Sequence, residues 1–163
     1  MKEDKEIVKL AKEIIDETEN RKGSVEGLVY KAFRLAKLVN NEKMQTWLSM
    51  EKYGYSDKKP DLTYMKQTGR TYNEQPRLGY WGPISAQESA IETSLAEMEV
   101  VKSFRPSGDY ANLQFSGQQQ RIRNLATQVS FLRNICSKVV SYIQEFATNV
   151  YYTHRFKQEV VSI

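Results

Sequence analysis

One cysteine, Cys136, and one histidine, His154, are all that this chain of 163 residues holds of the two side chains that most often build thiol and metal chemistry. A lone cysteine excludes an internal disulfide framework, the ordinary condition in a reducing cytosol, and a cytoplasmic location is expected. A lone histidine excludes a metal site built on two. Long apolar runs are missing as well. Nothing approaches the roughly 18 consecutive apolar residues of a membrane span, so no membrane association is expected. The opening residues MKEDKEIVKL carry acids where a secretory signal carries an apolar run. No glycine-rich phosphate loop and no dinucleotide fingerprint occurs, and no cofactor is expected.

What is present suits one globular domain, residues 1–163, because 40% hydrophobic and 27% charged residues in a chain of this length suffice for a core. The net charge of +4 is uneven: residues 1–51 are neutral, 52–83 carry +3, 84–117 carry −3 and 118–163 carry +4. A basic patch can hold phosphates, but dedicated nucleic-acid binders cluster more Lys and Arg, and a solvated surface is the ordinary reading.

The pattern predicts an all-α fold, a bundle of about five helices. Residues 3–19 place Ile7, Leu10, Ala11, Ile14 and Ile15 on one stripe. Ser24 is the expected N-cap of a second helix with a wide apolar face from Val25 to Val39. Asn40 or Asn41 starts a third, which buries Met44, Trp47 and Leu48; Gly54 is its expected stop, in a Schellman ending with Tyr55 folded back on Met50. Residues 56–84 hold Pro60, Pro76 and Pro83 with Gly69, Gly79 and Gly82, and read as a long irregular loop with room for a short β-hairpin around Tyr80 and Trp81. Ser85 and Glu88 fit a capping box for a fourth helix running to Phe104, ended by Pro106 and Gly108.

The fifth helix, over about 116–155, is the most regular. Ile122, Val129, Cys136, Ile143 and Val150 hold heptad position a, and Leu125, Leu132, Val139 and Phe146 hold d. From Ser116 to Thr153 it measures about 57 Å at 1.5 Å per residue, longer than the other helices can cover. That surplus makes Ile122, Leu125, Val129, Leu132, Ile135, Val139, Ile143, Phe146 and Val150 the candidate self-association stripe.

Catalytic groups do not assemble from spacing alone. Cys136 occupies an apolar a position, where a buried, inert thiol is the ordinary case. Eighteen helical residues, about 27 Å, separate it from His154. Asn149 and His154 have a spacing similar to that of HEPN ribonucleases, which carry Arg at the first position where this chain has Asn; the helix dipole alone favours a histidine near a C-terminus. Glu17 and Glu19, or Glu97 and Glu99, point to different helix faces. No catalytic and no metal-ligating residue is assigned. The candidate binding surface is instead the aromatic and basic mixture of the loop: Tyr55, Lys58, Lys59, Tyr64, Lys66, Arg70, Tyr72, Arg77, Tyr80 and Trp81, which suits stacked bases and phosphates or a protein interface, and which could equally roof the core.

The run YKAFRLAKLVNNEKMQTWLSMEKYGYSDKKPDLTYMKQTGR resembles the AbiTii domain, named after a lactococcal abortive-infection protein acting against phage. The pattern is carried by Ala36 and Leu38, Trp47, Glu51, Gly54 and Tyr55, Pro60 and Tyr64. The family follows that last tyrosine with Arg; here Met65 and Lys66 follow, so the cation is displaced. The resemblance implies a part in bacterial antiviral defence, as a whole small component or as an N-terminal module, and supplies no reaction. A non-catalytic interaction or assembly module, with a protein partner or a second copy, is the leading expectation. A nucleic-acid-binding component and a ribonuclease-like toxin are the alternatives.

Overall fold

The computed structural model describes residues 2–21, 23–56, 62–71 and 79–162, with the side chains of 158–162 excepted. They form six helices: α1 (Lys2–Asn20), α2 (Val25–Leu38), α3 (Glu42–Tyr53), α4 (Leu62–Gln67), α5 (Ile84–Ser103) and α6 (Ala111–Ser162). The all-α expectation holds. Helix α4 is an addition inside the segment expected to be irregular, and no strand occurs among the described residues. The short hairpin expected around Tyr80 and Trp81 is not seen: residues 79–83 are described and belong to no strand, and Leu78 lies outside the described residues.

Helix ends show how local chemistry sets the boundaries. Ser24 caps α2 as expected, accepting from the Gly27 N–H at 3.0 Å. The capping box of Ser85 and Glu88 does not form. Helix α5 begins behind Pro83, which has no capping side chain, and Glu88 turns to α2 instead. Its two carboxylate oxygens accept from the Val25 N–H at 3.0 Å and the Glu26 N–H at 2.8 Å. A carboxylate there satisfies two orphan donors at the positive end of the helix dipole.

The Schellman ending is also displaced. It closes α2 at Asn40, whose φ is +55°: the Asn40 N–H meets Lys37 O at 3.2 Å and the Asn41 N–H meets Ala36 O at 2.9 Å. Asn41 then opens α3, accepting from the Met44 N–H at 3.1 Å. Gly54 does stop α3 with a positive φ of 100°, but its ψ of 163° belongs to the extended region that glycine alone occupies readily. The chain therefore leaves straight, and the Tyr55 N–H donates to Trp81 O at 2.7 Å rather than back to the helix.

Helix α6, at 52 residues and about 78 Å, is the axis of the molecule. Helices α1, α2 and α5 pack on it, and α3 packs on α2. The a and d stripe is buried from Leu125 to Val150, joined by Ile135 and Ala147, which widen the buried face. At the other end the structure thins to two helices. No residue from Leu95 to Asn124 is buried, so the last half of α5 and the first turns of α6 form an arm projecting from the body.

Candidate functional site

The last turn of α3 carries Glu51 inward, with Trp47 one turn before it and Tyr55 just past the helix end. Opposite stands Arg70. Helix α4 ends in a second Schellman turn at Gly69 (φ +71°), where the Arg70 N–H bonds Met65 O at 2.8 Å, and this reversal swings the arginine back toward α3. Glu51 and Arg70 are both 0% exposed. The guanidinium grips both carboxylate oxygens, Nη2 to Oε1 at 2.5 Å and Nε to Oε2 at 3.3 Å, and Nη1 donates to Tyr80 O at 2.7 Å and Gly82 O at 2.8 Å. Its carbon lies 4.8 Å above the Tyr55 ring, whose hydroxyl donates to Glu51 Oε2 at 2.5 Å.

Breaking such a pair from one side leaves an uncompensated charge, whereas here nearly every donor and acceptor is used. Burial, then the Glu51 charge, raises the Tyr55 phenol, which keeps its proton and remains a donor. Trp47 is 3% exposed and meets Tyr142 edge-on at 6.1 Å. Its indole N–H lies beside the Tyr55 phenol but outside hydrogen-bond geometry, and has no acceptor among the described residues. The cluster ties α3, α4 and the approach to α5 into one unit.

Trp47, Glu51 and Tyr55 are among the residues that carry the resemblance, and the AbiTii family model matches residues 9–162. The chain belongs to the AbiTii family. No curated protein and no solved structure is significantly similar to it. The AbiTii match begins within α1 and runs to the end of α6, so it includes the body, the Glu51 cluster and the arm. Membership suggests a role in abortive-infection defence.

In this AbiTii domain the residues named from sequence separate into different places. Tyr55 and Arg70 are buried and do not contribute to a binding surface, because Glu51 requires both. Lys66 is exposed, and the cation that meets Glu51 is Arg70. Tyr64 and Tyr80 are half-buried, Tyr80 against Phe131 at 6.0 Å, and half-buried Trp81 lends its carbonyl to Tyr55. Lys58, Lys59, Tyr72 and Arg77 lie outside the described residues. Of the self-association stripe, Leu125, Val129, Leu132, Ile135, Val139, Ile143, Phe146 and Val150 are buried within the chain itself and Ile122 is half-buried. That stripe is core, covered by α1, α2 and α5.

His154 hydrogen-bonds through Nδ1 to Asp4 Oδ1 at 3.0 Å, and this bond holds the Asp4 carboxyl below its usual range. Asn149, five residues earlier and so about 140° away around the axis, is exposed on a different face. Burial, then the Glu88 charge, pushes the Cys136 thiol up to about 11. Among the described residues no group of three His, Cys, Asp or Glu side chains could hold a metal ion, and no helix is long and apolar enough to cross a membrane.

Sequence reasoning missed the arm. Val100, Phe104, Tyr110, Leu113 and Phe115 are 53 to 71% exposed, five of the nine large hydrophobics most open to solvent among the described residues. The signal was available in the apolar residues placed on both sides of Pro106 and Gly108, where a solvent-facing turn is ordinarily polar.

Proposed function

We propose that this chain is a non-catalytic interaction and assembly module of an anti-phage abortive-infection system. The observation that carries the reading is a division of labour. Glu51 and Tyr55 of the AbiTii pattern are sealed inside a structural cluster, while Val100, Phe104, Tyr110, Leu113 and Phe115 stand exposed along the arm. Several large apolar side chains left exposed on a well-built element favour a macromolecular partner. A nucleic-acid partner is less favoured, since the basic aromatic segment loses Tyr55 and Arg70 to the interior.

Phage plaque counts on cells expressing the protein in its native gene context test the reading. His154→Ala and Cys136→Ser are expected to retain protection, and Leu113→Asp with Phe115→Asp to lose it while staying folded. Loss in a folded His154→Ala protein, with protection kept by the arm variant, would overturn the proposal in favour of a ribonuclease-like toxin.

A further inference from the structure

The outer faces of α2 and α3 carry a group of aromatic and basic side chains that belongs neither to the arm nor to the sealed cluster. Tyr30, Phe33, Arg34 and Lys37 recur at helical spacing on α2, on the side opposite the buried Leu28, Ala32 and Leu35. The last turn of α3 adds Lys52 and Tyr53. Tyr30 is 43% exposed and Tyr53 72%. The Lys52 ammonium lies 4.8 Å from the centre of the Tyr30 ring, 5.0 Å from that of Tyr53 and 5.5 Å from that of Phe33, and the Lys37 ammonium lies 4.7 Å from the centre of Phe33. Attraction to three rings holds the Lys52 charge in place instead of leaving it to wander on its flexible stem.

Charge decides which partner fits. Arg34, Lys37 and Lys52 make no ion pair among the described residues. The acids of these two helices are engaged otherwise. Glu26 and Glu42 stand in the first turns, where each complements its own helix dipole, and Glu26 accepts from the Tyr30 hydroxyl at 2.8 Å. Glu51 is buried on Arg70. A ring attracts an ammonium without neutralising it, so an anion on the solvent side is still favoured. An acidic peptide brings carboxylates alone. A single strand of nucleic acid brings at every nucleotide both groups that this face accepts, a phosphate for the cations and an unpaired base for an exposed ring. A duplex keeps its bases stacked inside and offers only the phosphates.

We propose that this face of α2 and α3 binds single-stranded nucleic acid, with phosphates at Arg34, Lys37 and Lys52 and bases stacked on Tyr53 and Tyr30. The site goes beyond the interaction-module reading and shares no residue with the arm. It is also distinct from the basic aromatic segment that loses Tyr55 and Arg70 to the interior.

Fluorescence anisotropy of the full chain against labelled oligothymidylate and oligouridylate of about 15 nucleotides tests it, and the tighter of the two names DNA or RNA as the source. Micromolar binding is expected at about 50 mM salt, with affinity falling as roughly the second power of salt concentration, about 0.7 for each of three phosphates. Arg34→Gln with Lys37→Gln should weaken binding about tenfold or more and lower that power to about 0.7. Tyr53→Ala should weaken it about fivefold or more and leave the power unchanged, because stacking releases no counterions. All three side chains are exposed, so thermal melts should not move. No binding at about 100 μM protein in 50 mM salt overturns the proposal, and so does binding that ignores both sets of changes, which places the strand elsewhere. A duplex that binds as tightly as the single strand, with Tyr53→Ala without effect, removes the stacking and overturns it as well. Polyglutamate that competes as well as the oligonucleotide, again with Tyr53→Ala without effect, assigns the face to an acidic protein instead.

Discussion

At the scale of single residues, the buried pair of Glu51 and Arg70 gives Glu51 of the AbiTii pattern a structural role in this chain. A fully buried charge left alone costs several kcal/mol, so Glu51→Ala and Arg70→Ala are each expected to destabilise the protein by about 3–5 kcal/mol. The double variant should cost clearly less than the sum, and a double-mutant cycle by urea denaturation measures the difference. Additive losses would mean that the two side chains stabilise the fold independently. Gly54→Ala is expected to cost about 1–3 kcal/mol by the same measurement, since its φ of 100° disfavours a side chain and a Cβ would stand 3.4 Å from Trp81 O and Pro83 Cδ. Acid acts on a smaller contact. Asp4 is held below its unfolded value by His154, so its contribution is present above that value and is lost as pH falls through the lower folded one. His154→Ala should remove that part of the acid dependence, which melts across the acid range would show.

At the scale of elements, periodicity made most of the fold legible and polar ends made it misleading. The stripes of α1, α2 and α6 are the buried faces expected, because a run of apolar residues at helical spacing has few other solutions. Helix α4 escaped because six residues are too few to show a period. Glu88 was misassigned because a capping box is a local rule, and a carboxylate one turn into α5 also reaches a helix start more than sixty residues away in sequence. Arg70 was placed on the surface for the same reason: its partner lies nineteen residues back, and only the turn at Gly69 brings the two together. If Glu88 caps α2, Glu88→Ala should cost about 1–2 kcal/mol and speed hydrogen exchange at the Val25 and Glu26 amides. Unchanged exchange there would remove the cap from the account.

At the scale of the whole molecule, a 52-residue helix joins two parts of different kinds. The body closes its own core around Val139 and Ile143, both 0% exposed, so Ile143→Asp should unfold it rather than separate copies. The arm, with no buried residue from Leu95 to Asn124, is held mainly by its backbone, by Gln118 and by the ion pair of Glu97 with Arg121. Protection against hydrogen exchange follows buried contacts, so amides of 95–124 should exchange well before those of α2 and of residues 129–150 in dilute solution. If a second copy seated itself on the arm, it would add the missing burial and bind only the folded state, so arm protection would then rise with protein concentration while body protection stayed level. Exchange mass spectrometry across a hundredfold range of concentration separates the two behaviours. An arm already as protected as the body at the lowest concentration would show that two helices suffice without a partner, and the exposed residues from Val100 to Phe115 would then have to be explained on grounds other than assembly.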